Sequence, residues 1–493
     1  MPSALAAALV LLSSAAVLVL EILVSRLAAP FVGLTLETYT AAIGVALAAI
    51  AAGAALGGRL ADLAHPARWL GPALALGGGL LLLVRPTVSS LGPGVPAGPE
   101  GTVLLVAAAV GPAVLVLSTV PPGVVKLRLR TLAETGATVG RLSALGTLGA
   151  LAGTFLTGFV LLSALPVSRV LLATGVLLLV VGVVLAVVLP RLAGTDAATA
   201  PTLAFLLVLG GLSSALLVVV DPPCERETRY YCASVLADRS QLRPTGRTLV
   251  LDGLRHSYVD LADPAYLEFD YTRRFGDVLA SRPPGALDAL HIGLGGGTIP
   301  RHLAAVRPGT RSTVLEVDPG VLALDRDRLG LVTGPDLTVR IGDARTSIAE
   351  LPSAAYDVVV GDAFGSLAVP WHLTTREMVA QVRRVLRPGG VYLLNVIDNP
   401  PNAFARAEAA TLTEAFDVVL RVGSTRQRDG LVGGNHVLVA SDAPLPAQEL
   451  AARSRARGGD DVVTDAAPFA AGQQVLTDDD APVDQLLTPY VRP

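Results

Sequence analysis

Four apolar runs between residues 289 and 362 each end in groups that could hold or act on a ligand. The first, Leu290–Ile292, leads into Gly293, Gly295, Gly296 and Gly297. The second ends in Glu316 and Asp318, the third in Asp343 and Ala344, and the fourth, Tyr356–Gly361, in Asp362. Glycines let the backbone approach a ligand closely, and a carboxylate roughly 20 residues further on can take the hydroxyl pair of a ribose. That chemistry is nucleoside binding. A glycine turn by itself is only a tight turn, and one acid after a strand is commonly a helix cap. Three acidic strand ends beside a glycine turn at one sheet edge are what a ligand site requires.

The elements that must position these groups follow from the alternation of apolar runs and helix-length gaps. Strands are expected at 289–293, 313–317, 337–341, 356–361, 391–397, 417–422 and 436–440. Helices are expected after Thr298 and Pro319 and over 375–386. Short loops between them imply a mostly parallel, doubly wound sheet, with ligands outside the carboxyl ends of its strands. Residues 223–262 read as a small β subdomain with a turn at Pro244–Gly246. A helix is expected to open at Asp263-Pro264 and to end near Arg282-Pro283.

Of the 493 residues, 52% are hydrophobic and 16% charged, against about 25% charged in an ordinary soluble domain. The deficit is local. Residues 1–222 are mostly Ala, Leu, Val and Gly, with apolar stretches near 4–26, 38–58, 68–88, 102–120, 143–165, 168–190 and 203–220. A span needs about 20 residues, so this part is expected to be a polytopic α-helical membrane domain of about seven helices. The partner it implies is the lipid bilayer, and the location a cell membrane crossed several times. Gly146, Gly149, Gly153 and Gly158 are expected at close helix contacts. Glu21 and Glu37 fall in or beside spans, where a charge is a functional candidate; for Glu21 an ion pair with Arg26 is the other reading. Basic residues such as Arg59, Lys126 and Arg191 collect in alternate loops, which places the amino terminus inside and the C-terminal part outside for an odd number of spans. A nucleoside ligand points to the opposite side. The net charge of -3 argues against nucleic acid, which selects a basic face. Cys224 and Cys232 are either a disulfide or two thiols, and no His/Cys cluster has metal-ligand spacing.

The C-terminal half resembles the spermidine synthase, or polyamine aminopropyltransferase, family. The resemblance rests on L-V-L-D-G at 249–253, A-Y-L-E at 265–268, I-G-L-G-G-G at 292–297, L-E-V-D at 315–318, G-D-A at 342–344 and Y-D-V-V-V-G-D at 356–362. With the apolar half in front, the chain is similar to bacterial membrane-fused spermidine synthase-like proteins. The resemblance implies a Rossmann-like, class I methyltransferase-type domain over 263–493. It also implies transfer from decarboxylated S-adenosylmethionine, or S-adenosylmethionine itself, to a small-molecule amine or other nucleophile, without a metal. Carried over, Gly293, Gly295 and Gly297 form the cofactor turn, Glu316 binds the ribose, and Asp343 with Ala344 lies at the adenine. Asp362 is the catalytic acid-base group, with Tyr266 lining the active site.

The family's aspartate within the turn is here Gly296, and its second amine-binding aspartate is Gly365. Two family glutamines become His256 and Leu267. His256 is either a replacement base or a plain surface or turn residue; Trp371 and His372 line a lid or anchor a loop. The nucleoside half of the site is thus kept and the polyamine half altered, which leaves a methyltransferase, or a transporter or sensor with a re-purposed fold, as alternatives. Self-association into a homo-oligomer is left open.

Overall fold

The computed structural model describes all residues except 34–35, 97, 130, 132–133, 196–199, 220–223, 241, 366–368 and 489–493. The chain divides into two compact units, Met1–Arg229 and Tyr230–Pro493.

The first unit is helical: α1 (Ser3–Val32), α2 (Leu36–Leu63), α3 (Pro66–Leu91), α4 (Pro99–Leu117), α5 (Val120–Arg128), α6 (Thr135–Phe155), α7 (Leu162–Ala164), α8 (Val167–Leu192) and α9 (Ala200–Val219), before a two-residue strand β1 (Arg226–Glu227). Among the described residues, six helical segments are long and apolar enough to cross a membrane. A shorter apolar stretch, Ala204–Leu216, stands where a seventh span was expected. The 26 residues of α8 reach roughly 39 Å at 1.5 Å per residue, more than the ~30 Å of a hydrocarbon core. Outward faces stay apolar, with Leu47, Leu104, Phe159, Val180 and Phe205 exposed. Helices α1 and α6 meet backbone to backbone. A Cβ on Gly149 or Gly153 would stand 2.4 or 2.5 Å from the carbonyl oxygens of Leu11 and Ala15, so only glycine permits the approach. Gly146 lies in ordinary contact with Ser14 and Val10. Gly158, expected to pack likewise, has open space around its Cβ position. It lies in a π-helical stretch, Leu156–Leu161, that continues α6, and the wider turn there changes which residues face α1. Arg26 donates to the carbonyl oxygens of Thr228 and Arg229. Neither cysteine is a free thiol.

The second unit opens with β2 (Cys232–Ala237), β3 (Gly246–Leu251) and β4 (Leu254–Asp260), paired antiparallel in that order. Strands β3 and β4 form a hairpin. Asp252 and Gly253 take φ of 50° and 77°, the two positive values that a two-residue Asp-Gly turn requires. The expected helix from Asp263 begins only at Asp270, as α10 (Asp270–Ser281). Arg243 bonds Asp260 at 3.0 Å and Asp263 at 2.9 Å, and its guanidinium lies 3.6 Å over the Tyr266 ring. That clamp holds residues 260–266 in a turn and defers the helix.

From there strands and helices alternate: β5 (Asp288–Ile292), α11 (Thr298–Val306), β6 (Arg311–Glu316), α12 (Pro319–Arg328), β7 (Leu337–Ile341), α13 (Ala344–Ala349), β8 (Tyr356–Gly361), α14 (Arg376–Val385), β9 (Leu386–Asp398), α15 (Ala403–Ala415), β10 (Val418–Ser424), α16 (Thr425–Arg428), β11 (Gly434–Ser441), α17 (Ala447–Ala456) and β12 (Asp461–Asp465). The eight-stranded sheet runs β12-β10-β11-β9-β8-β5-β6-β7. It is parallel from β9 to β7 and antiparallel from β9 to β12. This is a Rossmann-like sheet with an antiparallel extension. Strand β12 was not expected, because its sequence D-V-V-T-D is too short and too polar to stand out. Apolar clusters cover both faces, one around Phe404, Val379 and Leu290 and the other around Phe275, Leu303 and Val439. The strand order reverses at β5, with β6 on one side and β8 on the other, which puts a crevice at their carboxyl ends.

Candidate active site

At that crevice the chain leaves β5 through the glycine turn. Gly293 has φ of +93°, and a Cβ there would lie 2.5 Å from the carbonyl oxygen of Asp362. The Asp362 amide in turn donates to the Ile292 carbonyl at 3.0 Å. Only a residue without a side chain lets the ends of β5 and β8 touch in this way. Gly297, with φ of +70°, starts α11. Strand β4 lies over the turn: the Gly296 amide donates to Ser257 Oγ at 2.9 Å, and Thr298 Oγ1 donates to the Tyr258 carbonyl at 3.0 Å.

Glu316 ends β6 and is buried. Its carboxylate accepts the Leu294 amide at 2.9 Å and the Asp318 amide at 2.8 Å, which ties the acid to the turn. Burial pushes its pKa up to about 7 against the opposing pull of these amides. Asp318 and Asp343 both serve as helix caps. Asp318 accepts the Gly320 amide of α12 at 2.8 Å, and Asp343 Oδ1 accepts the Arg345 amide of α13 at 2.8 Å. The second oxygen of Asp343 pairs with His372 Nε2 at 2.9 Å. His372 therefore ties its loop to Asp343, while neighbouring Trp371 is half exposed. Ala344 is the buried first residue of α13.

Asp362 follows β8. Its Oδ1 accepts Asn395 Nδ2 at 2.8 Å and its Oδ2 accepts the Tyr271 hydroxyl at 2.9 Å. Asn395 is itself fixed by Asn435 at 3.0 Å. Burial raises the Asp362 carboxyl to about 6, and the two donors hold it from going higher. A carboxyl so tuned is a base close to neutral pH.

Tyr266, expected to line the active site, makes no bond to Asp362 among the described residues. Tyr266 bonds Glu268 Oε2 at 2.5 Å and lies under Arg243. The partner of Asp362 is Tyr271, five residues later, because the helix starts at Asp270 and puts Tyr271 on its buried face. His256 lies inside β4 and beside the Tyr231 ring, with centroids 6.4 Å apart. Tyr231 itself bonds the Phe364 carbonyl at 2.7 Å. Its phenol is raised by burial first and then by the charges of Glu316, Asp252 and Asp318, which places it among the acids of the site. Tyr231, Tyr271 and Asn395 carried no sequence signal of their own. The expected turn, Glu316, Asp343, Ala344 and Asp362 all sit at the carboxyl ends of adjacent strands. Among the described residues no cluster of His, Cys, Asp or Glu could hold a metal.

The same segment is similar to known proteins. A family model described as a methyltransferase domain matches residues 289–390. A polyamine aminopropyltransferase of Vibrio vulnificus is 30% identical over 162 residues, covering 32% of this chain and 52% of that one. One from Mycobacterium tuberculosis is 30% identical over 295 residues, covering 57% of this chain and 55% of that one. The C-terminal half resembles the polyamine aminopropyltransferases. The chain spans about half the length of these curated relatives. A probable spermidine synthase from Corynebacterium glutamicum, a solved structure, is 28% identical with a TM-score of 0.48, covering 55% of this chain and 100% of that one. In this aminopropyltransferase-like unit, the space beside Gly296 is tight. A Cβ on Gly296 would come within 3.1 to 3.2 Å of Leu329, Ser257 and Val259.

Proposed function

We propose that the C-terminal unit is a transferase of aminopropyltransferase type, carried by a helical unit that spans a cell membrane. In this reading the donor is a sulfonium nucleoside, nominally decarboxylated S-adenosylmethionine, and the acceptor is an amine. The observation that carries it is Asp362: a carboxyl raised to about 6, held by Tyr271 and Asn395, and in backbone contact with the turn at Gly293.

The residues present suit such a donor. Glycines that exclude a Cβ, the buried Glu316 carboxylate at the next strand end, and Asp343 one strand further give a turn and two acids in the order that a ribose and an adenine need. The sulfonium supplies a leaving group that departs as a neutral thioether with the electron pair of its broken carbon–sulfur bond. Asp362 holds the acceptor's ammonium and takes the proton it must lose for nitrogen to form the new bond to carbon. Tyr271 and Asn395 orient the two carboxylate oxygens and keep them ionised near neutral pH. Asp343, fixed by its cap and by His372, orients the base end, and Glu316 the ribose. The outward apolar faces of α2, α4, α6, α8 and α9 support the reading of the first unit as membrane-embedded.

A second reading, methyl transfer from S-adenosylmethionine, is favoured by one observation: position 296 is glycine and offers no carboxylate to pair with the decarboxylated donor's amine. Both readings are tested on the full chain in lipid nanodiscs. Calorimetric titration with decarboxylated S-adenosylmethionine, S-adenosylmethionine and methylthioadenosine is followed by the mass of the product formed with putrescine. Tight binding of the decarboxylated donor and release of methylthioadenosine support aminopropyl transfer. A mass gain of one methyl group supports the second reading, and no binding of any of the three refutes both.

A further inference from the structure

Resting on that reading, we propose that His256 is a specificity-determining residue of the transfer site, its imidazole Nε2 accepting a hydrogen bond from a primary ammonium group of the bound substrate.

The residue is placed by an irregularity. Strand β4 pairs Val250 with Arg255 and Leu249 with Ser257, so His256 is the extra residue of a β-bulge. Bulges re-aim a side chain that regular pairing would send elsewhere. Its neighbours on both sides are pinned to the site: Ser257 accepts the Gly296 amide at 2.9 Å, and Tyr231 bonds the carbonyl of Phe364, two residues past Asp362. The imidazole Nε2 is out of reach of solvent and has no hydrogen-bond partner among the described residues. A buried polar atom left unpaired is costly, and a native structure that keeps one calls for a specific reason. A bound group that supplies the missing partner is such a reason.

The chemistry of that group follows from the surroundings. Tyr231, which packs on the imidazole, feels the charges of Glu316, Asp252 and Asp318, and Asp362 ends the neighbouring strand. Such a setting attracts a cation. Burial lowers the His256 pKa to about 4, so the ring is neutral and one nitrogen can only accept. A cation with N–H donors, a primary ammonium, satisfies both requirements. It can belong to the arm of the donor or to the acceptor.

The test uses the full chain in nanodiscs and the variants H256A, H256Q and H256N. Decarboxylated S-adenosylmethionine carries an ammonium on its arm; methylthioadenosine has neither arm nor ammonium. If the donor supplies the ammonium, H256A weakens the former about tenfold or more and leaves the latter unchanged. If the acceptor supplies it, donor binding is unchanged and the putrescine KM rises by about the same factor. In either case glutamine, whose amide oxygen reaches the Nε2 position, restores the loss, and asparagine, which reaches only Nδ1, does not. The 15N shift of the His256 acceptor nitrogen moves on adding the ammonium-bearing ligand. Equal losses for methylthioadenosine would show a structural role, and no change in donor affinity or putrescine KM would overturn the proposal. Wild-type protein that binds none of these nucleosides would instead bring down the transferase reading, and His256's role with it.

Discussion

Replacing Tyr271 by phenylalanine isolates the tuning of Asp362, because it removes one hydroxyl and keeps the ring that packs against Phe275. Burial lifts the Asp362 carboxyl to about 6, and the hydrogen bonds from Asn395 and Tyr271 oppose that rise. A hydrogen bond to a charged group is worth roughly 1.5–3 kcal/mol. At about 1.4 kcal/mol per pKa unit, losing it raises the carboxyl by one to two units, to about 7–8. The hydroxyl stabilises the ionised form, so its removal favours the protonated acid, and a protonated base cannot accept the ammonium's proton. The acid limb of the kcat/KM profile should therefore move from near 6 to about 7–8. Activity at pH 7 should fall by about two- to tenfold and recover by about pH 9. The assay is methylthioadenosine release across pH 5 to 10, with donor affinity measured in parallel. An acid limb that stays in place or moves to lower pH refutes the assignment of Asp362 as the base. A loss equal at every pH refutes the role given to Tyr271.

Three further perturbations follow from the same site. Asp325 of α12 is fully buried, neither carboxylate oxygen has a hydrogen-bond partner among the described residues, and burial, then the charge of Glu316, raises its pKa well above the usual value. A raised acid contributes its full stability below the unfolded pKa and loses it as pH rises towards the folded pKa. D325N should accordingly be more stable than wild type by about 1–3 kcal/mol at pH 8, with the gap closing towards pH 4 in thermal unfolding; a variant less stable at pH 8 contradicts this. Gly296→Asp, which restores the family's acid, should lower stability by about 1–3 kcal/mol, since its Cβ meets Leu329, Ser257 and Val259. Tighter donor binding without loss of stability would count against that crowding. Asp343→Ala should weaken methylthioadenosine and the full donor alike, by about tenfold in calorimetry, whereas Asp343→Asn, which still caps α13, should lose less. Equal losses in the two would mean that the carboxylate, and not the cap, is what matters.

The parts of the site that were legible in the sequence are those set by short-range geometry. A glycine turn after an apolar run and acids at successive strand ends are fixed by local chain direction, so Gly293, Glu316, Asp343 and Asp362 could be read in order. The parts that were not legible depend on packing. Tyr271 rather than Tyr266 meets Asp362 because Arg243 clamps the preceding turn and postpones the helix, a long-range effect with no periodicity to betray it. Asn395 lies mid-strand in an apolar run, where nothing marks it as the partner of a carboxylate. Tyr231 and the bulge at His256 depend on the register of β3 against β4 and on what lies beneath it. In the helical unit, length and composition located the apolar segments. The choice of which glycines touch a neighbour, Gly149 and Gly153 but not Gly158, depended on a helix phase that the π-helical stretch resets.

In the proposed reading, the meeting of Gly293 with the carbonyl of Asp362 makes the donor's cradle and the base one mechanical piece. Two peptide groups in contact cannot slide independently, so a displacement of the turn carries the carboxylate with it and the distance between reacting partners is preserved. Variation in what the protein accepts must then come from the removable parts: β4 with its bulge laid over the turn, and the loop after Asp362 that His372 moors to Asp343. The centre behaves as a fixed anvil, and selectivity is changed by exchanging the pieces around its rim.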